Sequence, residues 1–97
     1  MKKIPEEKDT KTYRVNERVI YRVIEDEAAV VKPDDGSLIM LNETGTFILK
    51  NLKKAISIDK LTQKVLSEYD ISREKAEKDV KQFIKLLLKE GIIVEIK

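Results

Sequence analysis

The spacing of apolar residues divides this chain into a strand-like half and a helical half. Val19 to Ile24 (VIYRVI) is a β-branched run suited to a first strand, and Ala28 to Val31 is a second short apolar run. Pro33-Asp34-Asp35-Gly36 follows as a turn, with Gly36 free to take the positive φ that closes such hairpins. Ser37 to Leu41 returns antiparallel as a third strand, too short for a helix. Asn42 then interrupts the run, and Phe47, Ile48 and Leu52 resume at helical spacing. Asn42 suits a helix N-cap, because its side-chain oxygen can accept from an exposed N–H one turn in, and Glu43 complements the helix dipole. The first helix is predicted to run to about Lys53. Ser57 begins a second, with Ile58, Leu61, Val65, Leu66 and Tyr69 on one face. Ser72 caps a longer third helix through about Glu90. Gly91 is its expected C′ glycine, and Ile92 to Ile96 is a final extended segment. The order is β-β-β-α-α-α-β, an α+β fold in which a small three-stranded antiparallel sheet runs straight into a three-helix unit. Met1 to Thr12 has no apolar periodicity, which predicts a flexible tail over residues 1–14 and one domain over 15–97.

The third helix carries more apolar surface than a core needs. Ala76, Val80, Phe83, Ile84, Leu87 and Leu88 form a stripe of ordinary width and are expected in the core. Leu86 lies on the flank of that stripe, beside Asp79 and Phe83, and widens the apolar arc past half the circumference. Either a second element covers that flank or it stays exposed as part of a binding groove. The third strand raises a matching question. Ser37 to Leu41 contains neither proline nor charge, the usual means of blunting a sheet edge. A peptide could add to such an edge as a strand, unless Ile92–Ile96 or the N-terminal tail pairs there instead.

Composition narrows the chemistry. Ninety-seven residues with 41% apolar content fit one domain with one modest core. Charged residues reach 39%, against roughly 25% in an average soluble protein, yet the net charge is only +2. Cysteine and histidine are both absent, which excludes a disulfide framework, a thiolate nucleophile, an iron–sulfur cluster and a Cys/His zinc site. Ser57 and Lys60 match S-x-x-K only at a helix start, where capping is the simpler role. Glu25-Asp26-Glu27 and Asp34-Asp35 fall in predicted turns and read as solvated acid rather than a metal site. No phosphate-binding glycine motif is present. The expectation is a protein without catalytic activity, cofactor or metal. No apolar stretch approaches the ~20 residues of a membrane span and no signal-peptide h-region is seen, so the expected location is cytoplasmic.

Nucleic acid is the rival partner. Three helices followed by an extended segment resemble a winged helix, whose third helix enters the major groove. From Ser72 to Glu90, however, six Lys/Arg alternate with four acids, with i,i+4 pairs such as Glu77–Lys81 expected. Arginine, the favoured base reader, appears there only as Arg73, and aromatics are too few for base stacking.

The stretches EAAVVKPDDGSLIMLNETGTFIL and IDKLTQKVLSEYDISREKAEKDVKQFIKLLLKEGII resemble the PqqD-like family, also called RiPP recognition elements. The resemblance is carried by Leu41-Asn42-Glu43-Thr44-Gly45, by Leu61, Val65, Leu66 and Tyr69, and by Asp79-Val80, Phe83-Ile84, Leu87 and Gly91-Ile92. It covers roughly residues 15 to 94. This chain departs from many relatives in having Leu49 where they have Trp, and Lys53-Lys54-Ala55 where they have an acidic-Gly turn. The resemblance implies a winged-helix-like domain that binds the leader segment of a ribosomally made precursor peptide. The leader adds to the third strand, its apolar side chains insert between that strand and the third helix, and a modifying enzyme receives it. That enzyme is a radical-SAM protein or a leader peptidase in the family's known pathways.

On this reading the peptide-binding residues are Ser37, Leu38, Ile39, Met40 and Leu41 on the strand. On the third helix they are Lys75, Lys78, Asp79, Phe83, Leu86 and Leu87, and Lys85 joins Lys75 and Lys78 as a possible pairing site for leader acids. Asn42 suggests Leu41, and hence Ile39, as the core-facing pair, leaving Leu38 and Met40 nearer the groove. The alternatives are a winged-helix DNA regulator and a homodimer paired through Ser37–Leu41.

Overall fold

Glu25 and Asp26, both at positive φ (51° and 72°), close the first hairpin. A two-residue loop with both central residues in the left-handed region is the turn whose twist matches that of antiparallel strands. In the computed structural model of the protein, which describes residues 11–96, this loop joins β2 (Ile20–Ile24) to β3 (Glu27–Val31). Strand β4 (Leu38–Leu41) pairs with the other side of β3, with Ala28 opposite Leu41 and Val31 opposite Leu38. The turn between them uses Gly36 at φ +76°, and Ser37 donates through both its N–H and its hydroxyl to Asp35 Oδ1 (3.0 and 2.8 Å). Those two bonds hold the Asp35 carboxyl below the usual range.

Helices α1 (Glu43–Lys50), α2 (Ile58–Glu68) and α3 (Arg73–Lys89) follow. Asn42, Ser57 and Ser72 are their N-caps, accepting from the N–H of Gly45, Lys60 and Lys75. α1 stops short of Lys53, because the Asn51 side chain turns back onto the Phe47 carbonyl (2.9 Å) and Leu52 N–H bonds Leu49. Gly91 ends α3 at φ +76°, with Ile92 N–H on the Leu87 carbonyl and Gly91 N–H on Leu88, a Schellman closure.

The sequence pattern predicts one sheet and the structure has two. β1 (Thr12–Val15) is flanked by β5 (Ile56–Ser57) and β6 (Ile93–Ile96), both antiparallel. This corrects the expected tail, since residues 12–14 are strand. Val15 N–H bonds Leu52, and Asn16 bonds Ile92 and Gly91, so the segment is tied to the ends of α1 and α3. Residues 1–10 lie outside the described residues. The core between the second sheet and the helices contains Ala28, Val30, Leu41, Ile48, Leu61, Val65, Val80, Ile84 and Leu87, while Tyr13 and Ile93 extend it under the first. Leu88, expected there, is 37% exposed.

Candidate functional site

β4 pairs only with β3 among the described residues, so its other side is an open edge. Ile93–Ile96 does not cover it, because that strand is taken up by β1. Which backbone groups face the edge follows from one hydrogen bond. Lys32 N–H donates to the Ser37 carbonyl opposite it (2.9 Å), making this a hydrogen-bonded pair. In an antiparallel ladder such pairs alternate, so Ile39 and Leu41 also point their N–H and C=O at β3. Leu38 and Met40 therefore direct theirs outward. The side chains obey the same parity: Leu41 is 6% exposed and Ile39 half-buried, against 60% for Leu38 and 58% for Met40. The core pair is thus Leu41 and Ile39, as Asn42 suggests from the sequence.

The last rung of this ladder is closed by a side chain. The buried Thr46 hydroxyl accepts from Ala28 N–H (2.8 Å) and donates to the Leu41 carbonyl (3.3 Å). It locks β3, β4 and the first turn of α1 together, with both of its own hydrogen-bonding roles satisfied.

Beside the edge lies a groove of about 580 Å³ between β4 and α3. Met40 and Leu41 form one wall, and Lys75, Asp79, Gln82, Phe83 and Leu86 the other. These helix positions, spaced four, three, one and three apart, make one stripe at 3.6 residues per turn. It runs beside the core stripe of Ala76, Val80, Ile84 and Leu87. Leu86, 44% exposed, lies on the groove stripe and no described element covers it. Asn42, Thr44, Gly45 and Ile48 of the α1 start close one end, and Tyr69 and Ile71 of the α2–α3 connection line it too.

The groove's polar residues are Asn42, Thr44, Tyr69, Lys75, Asp79 and Gln82. Lys75 Nζ sits 3.1 Å from Asp79 Oδ2, an i,i+4 pair on a partly exposed helix face. Tyr69 packs edge-to-face on Phe47 with ring centroids 5.6 Å apart. Burial first, and then the Glu43 and Glu68 carboxylates, raise its phenol above the usual range, so it stays a neutral donor at physiological pH. An apolar floor with one ion pair and a polar rim is the composition of a binding site with a fixed orientation for its ligand.

Of the residues chosen from sequence, Met40, Leu41, Lys75, Asp79, Phe83 and Leu86 line the groove. Leu38 sits at the edge on the outer face, and Ser37 is occupied with Asp35. Leu87 is fully buried and corrects to a core residue: one position past Leu86 on a helix turns a side chain by about 100°. Lys78 is exposed outside the groove lining, as is Lys85, and Glu77 pairs with Arg73 (3.7 Å) rather than Lys81. Of the other lining residues, sequence reasoning did not assign Asn42, Thr44, Gly45 and Ile48 of α1 and its cap, Tyr69 and Ile71, or Gln82 to the site. Gln82 lies at the outer edge of the stripe drawn by Asp79, Phe83 and Leu86, on the side away from the core, where a polar residue gives no signal by apolar width. α3 gives the DNA reading no support, with Arg73 and Lys75 both paired to acids. Among the described residues no helix is long and apolar enough to cross a membrane.

Two solved structures share this fold. TbiB1 in complex with the TbiA(beta) leader peptide aligns over 82% of this chain and 93% of that one, at 20% identity and a TM-score of 0.76. Lasso peptide synthetase B1 complexed with the leader peptide aligns over 84% and 96%, at 22% identity and a TM-score of 0.73. At such identities they establish the fold. No curated protein sequence matches. Residues 27–93, from the start of β3 to the start of β6, match the family model for coenzyme PQQ synthesis protein D, and the chain belongs to this PqqD family.

Proposed function

We propose that this protein is a non-catalytic adaptor that binds the leader segment of a ribosomally synthesised precursor peptide and presents it to a modifying enzyme. The observation that carries this reading is the unpaired edge of β4 running alongside an apolar groove. The outward N–H and C=O groups of Leu38 and Met40 offer sequence-independent hydrogen bonds to an extended peptide. Ladder parity then divides the peptide's side chains. Those opposite Ile39 and Leu41 enter the groove between β4 and α3, against Leu41, Ile48, Phe83 and Leu86. Those opposite Leu38 and Met40 lie on the outer face. At the opposite edge of the same sheet, β2 contributes no residue to this groove and carries Arg22 at its centre.

That both structural neighbours were solved with leader peptides supports the same reading. The receiving enzyme would be a radical-SAM protein or a leader peptidase, in the cytoplasm. Lys75 would meet a leader acid by exchanging Asp79 for it, whereas Lys78 and Lys85 would act only from outside the groove.

The test is an amide NMR titration of the labelled protein with a peptide selected on it from a random display library, and with duplex DNA in parallel. Shifts gathered on Leu38–Leu41 and on Lys75–Leu86, from peptide alone, are expected. Peptide shifts centred elsewhere, DNA shifts along α3, or concentration-dependent self-pairing of β4 without peptide would contradict the reading.

A further inference from the structure

Gly45 is a buried helical residue in the first turn of α1, at a backbone conformation open to any L-residue. Glycine there forgoes helix propensity that alanine would supply. What the position demands is space. A Cβ built on Gly45 would lie 3.0 Å from Phe83 Cζ, 3.1 Å from Phe83 Cε1 and 3.3 Å from Asn42 Oδ1. The edge of the Phe83 ring therefore rests where that methyl would be.

Of the two neighbours, only one can yield. Asn42 Oδ1 is held by the Gly45 N–H at 2.8 Å as the cap of α1. Phe83 contributes the far end of a half-buried side chain, and its remaining side faces the groove. A methyl at residue 45 would push the ring toward the groove, into the space between Met40, Leu41 and Leu86. We propose that Gly45 is a positioning residue for peptide recognition: its missing side chain lets Phe83 recline against α1 and keeps the groove open. This rests on the adaptor reading, and it explains why a residue that gives α1 little helix propensity occupies this buried first-turn position. Gly45 itself need touch no ligand atom, because it acts through the ring.

The test is Gly45→Ala in the full chain, with Phe83→Leu and the double variant. Three readouts are taken: thermal stability, ring position from aromatic NOEs to Met40 and Leu86, and affinity for the library-selected peptide that binds the wild type. The expected result is an unchanged or slightly higher melting temperature for Gly45→Ala, a displaced Phe83 ring, and an affinity loss of about tenfold, or ~1.4 kcal/mol. Because leucine lacks the ring atoms that meet the methyl, Gly45→Ala should cost little further affinity in the Phe83→Leu background. A ring that stays in place overturns the proposal whether or not any peptide is found. So does an affinity loss of the same size in both backgrounds, or one that tracks a fall in melting temperature, which would make Gly45 a purely structural glycine. If the wild type binds no peptide at the groove, it is the adaptor reading that fails, and the ring measurement still decides the seat.

Discussion

Strand β1 has a hydrogen-bonded neighbour on each side, whereas β4 has one neighbour and a groove. Both belong to three-stranded antiparallel sheets of short strands, but β1 (TYRV) alternates apolar and polar residues whereas β4 (LIML) is apolar throughout. Around β1 the side chains face inward: Tyr13 and Ile93 are buried, and the backbone reaches out to Leu52 and Ile92. In the β2–β3–β4 sheet the inner face is equally buried, at Ala28, Val30 and Leu41, but Ile20, Ile24, Leu38 and Met40 stand largely exposed on the other. The first sheet is a clasp that joins the chain's beginning to its end. The second holds one edge strand in fixed register beside a helix and, among the described residues, leaves that edge unpaired. The two strands thus differ both in apolar content and, among the described residues, in the number of their partners.

The comparison breaks most visibly in the clasp. Ile93→Ala removes a buried side chain from β6 and should lower unfolding stability by about 2–5 kcal/mol in urea denaturation. A loss below ~1 kcal/mol would mean that the clasp contributes little. Thr46→Val should cost about 1–3 kcal/mol, because it strips the buried Ala28 N–H of its acceptor and unlocks β4 from α1. At the groove the two readouts should separate. Leu86→Lys, on an exposed position, is expected to change stability by no more than about 0.5 kcal/mol while weakening peptide binding by about tenfold. Equal binding by this variant would remove α3 from the site. Asn42→Ala should cost about 1 kcal/mol as a lost N-cap, read by the same denaturation.

The smallest effect concerns the turn that leads into β4. Lys32 Nζ lies 2.6 Å from Glu90 Oε1, and that hydrogen bond raises the lysine pKa above its ordinary range. A lysine whose folded pKa is raised contributes stability that is present at neutral pH and lost as pH rises through the folded value. Lys32→Met should therefore flatten the alkaline limb of the stability–pH curve. An unaltered alkaline limb would show that the pair contributes nothing there.

Much of this was legible in the sequence because the signals are local. The caps at Asn42, Ser57 and Ser72, the glycines at 36 and 91, and the parity of Ile39 and Leu41 each follow from one or two adjacent residues. The clasp was not legible for the opposite reason. Thr12–Val15 shows only Tyr13 and Val15 as alternating apolar positions, and its partners lie some eighty residues away in β6 and about forty-five away in the two-residue β5. Reasoning by apolar width pointed to Phe83 and Leu86, which line the groove, but carried the buried Leu87 along, since a stripe's edge and its neighbour differ by a single position. Gly45 stood in the Leu41–Gly45 motif of the family resemblance but not in the apolar pattern, because a glycine adds nothing to a stripe.

The central claim is that peptide adds to the outward groups of β4, and amide hydrogen exchange at three consecutive residues tests it most directly. In the free protein, Ile39 N–H should be protected by β3 while Leu38 and Met40 exchange freely. Saturating the groove with the selected peptide should protect Leu38 and Met40 and leave Ile39 nearly unchanged. Continued free exchange at Leu38 and Met40 under saturation would show that the peptide, wherever it binds, is not a strand of this sheet.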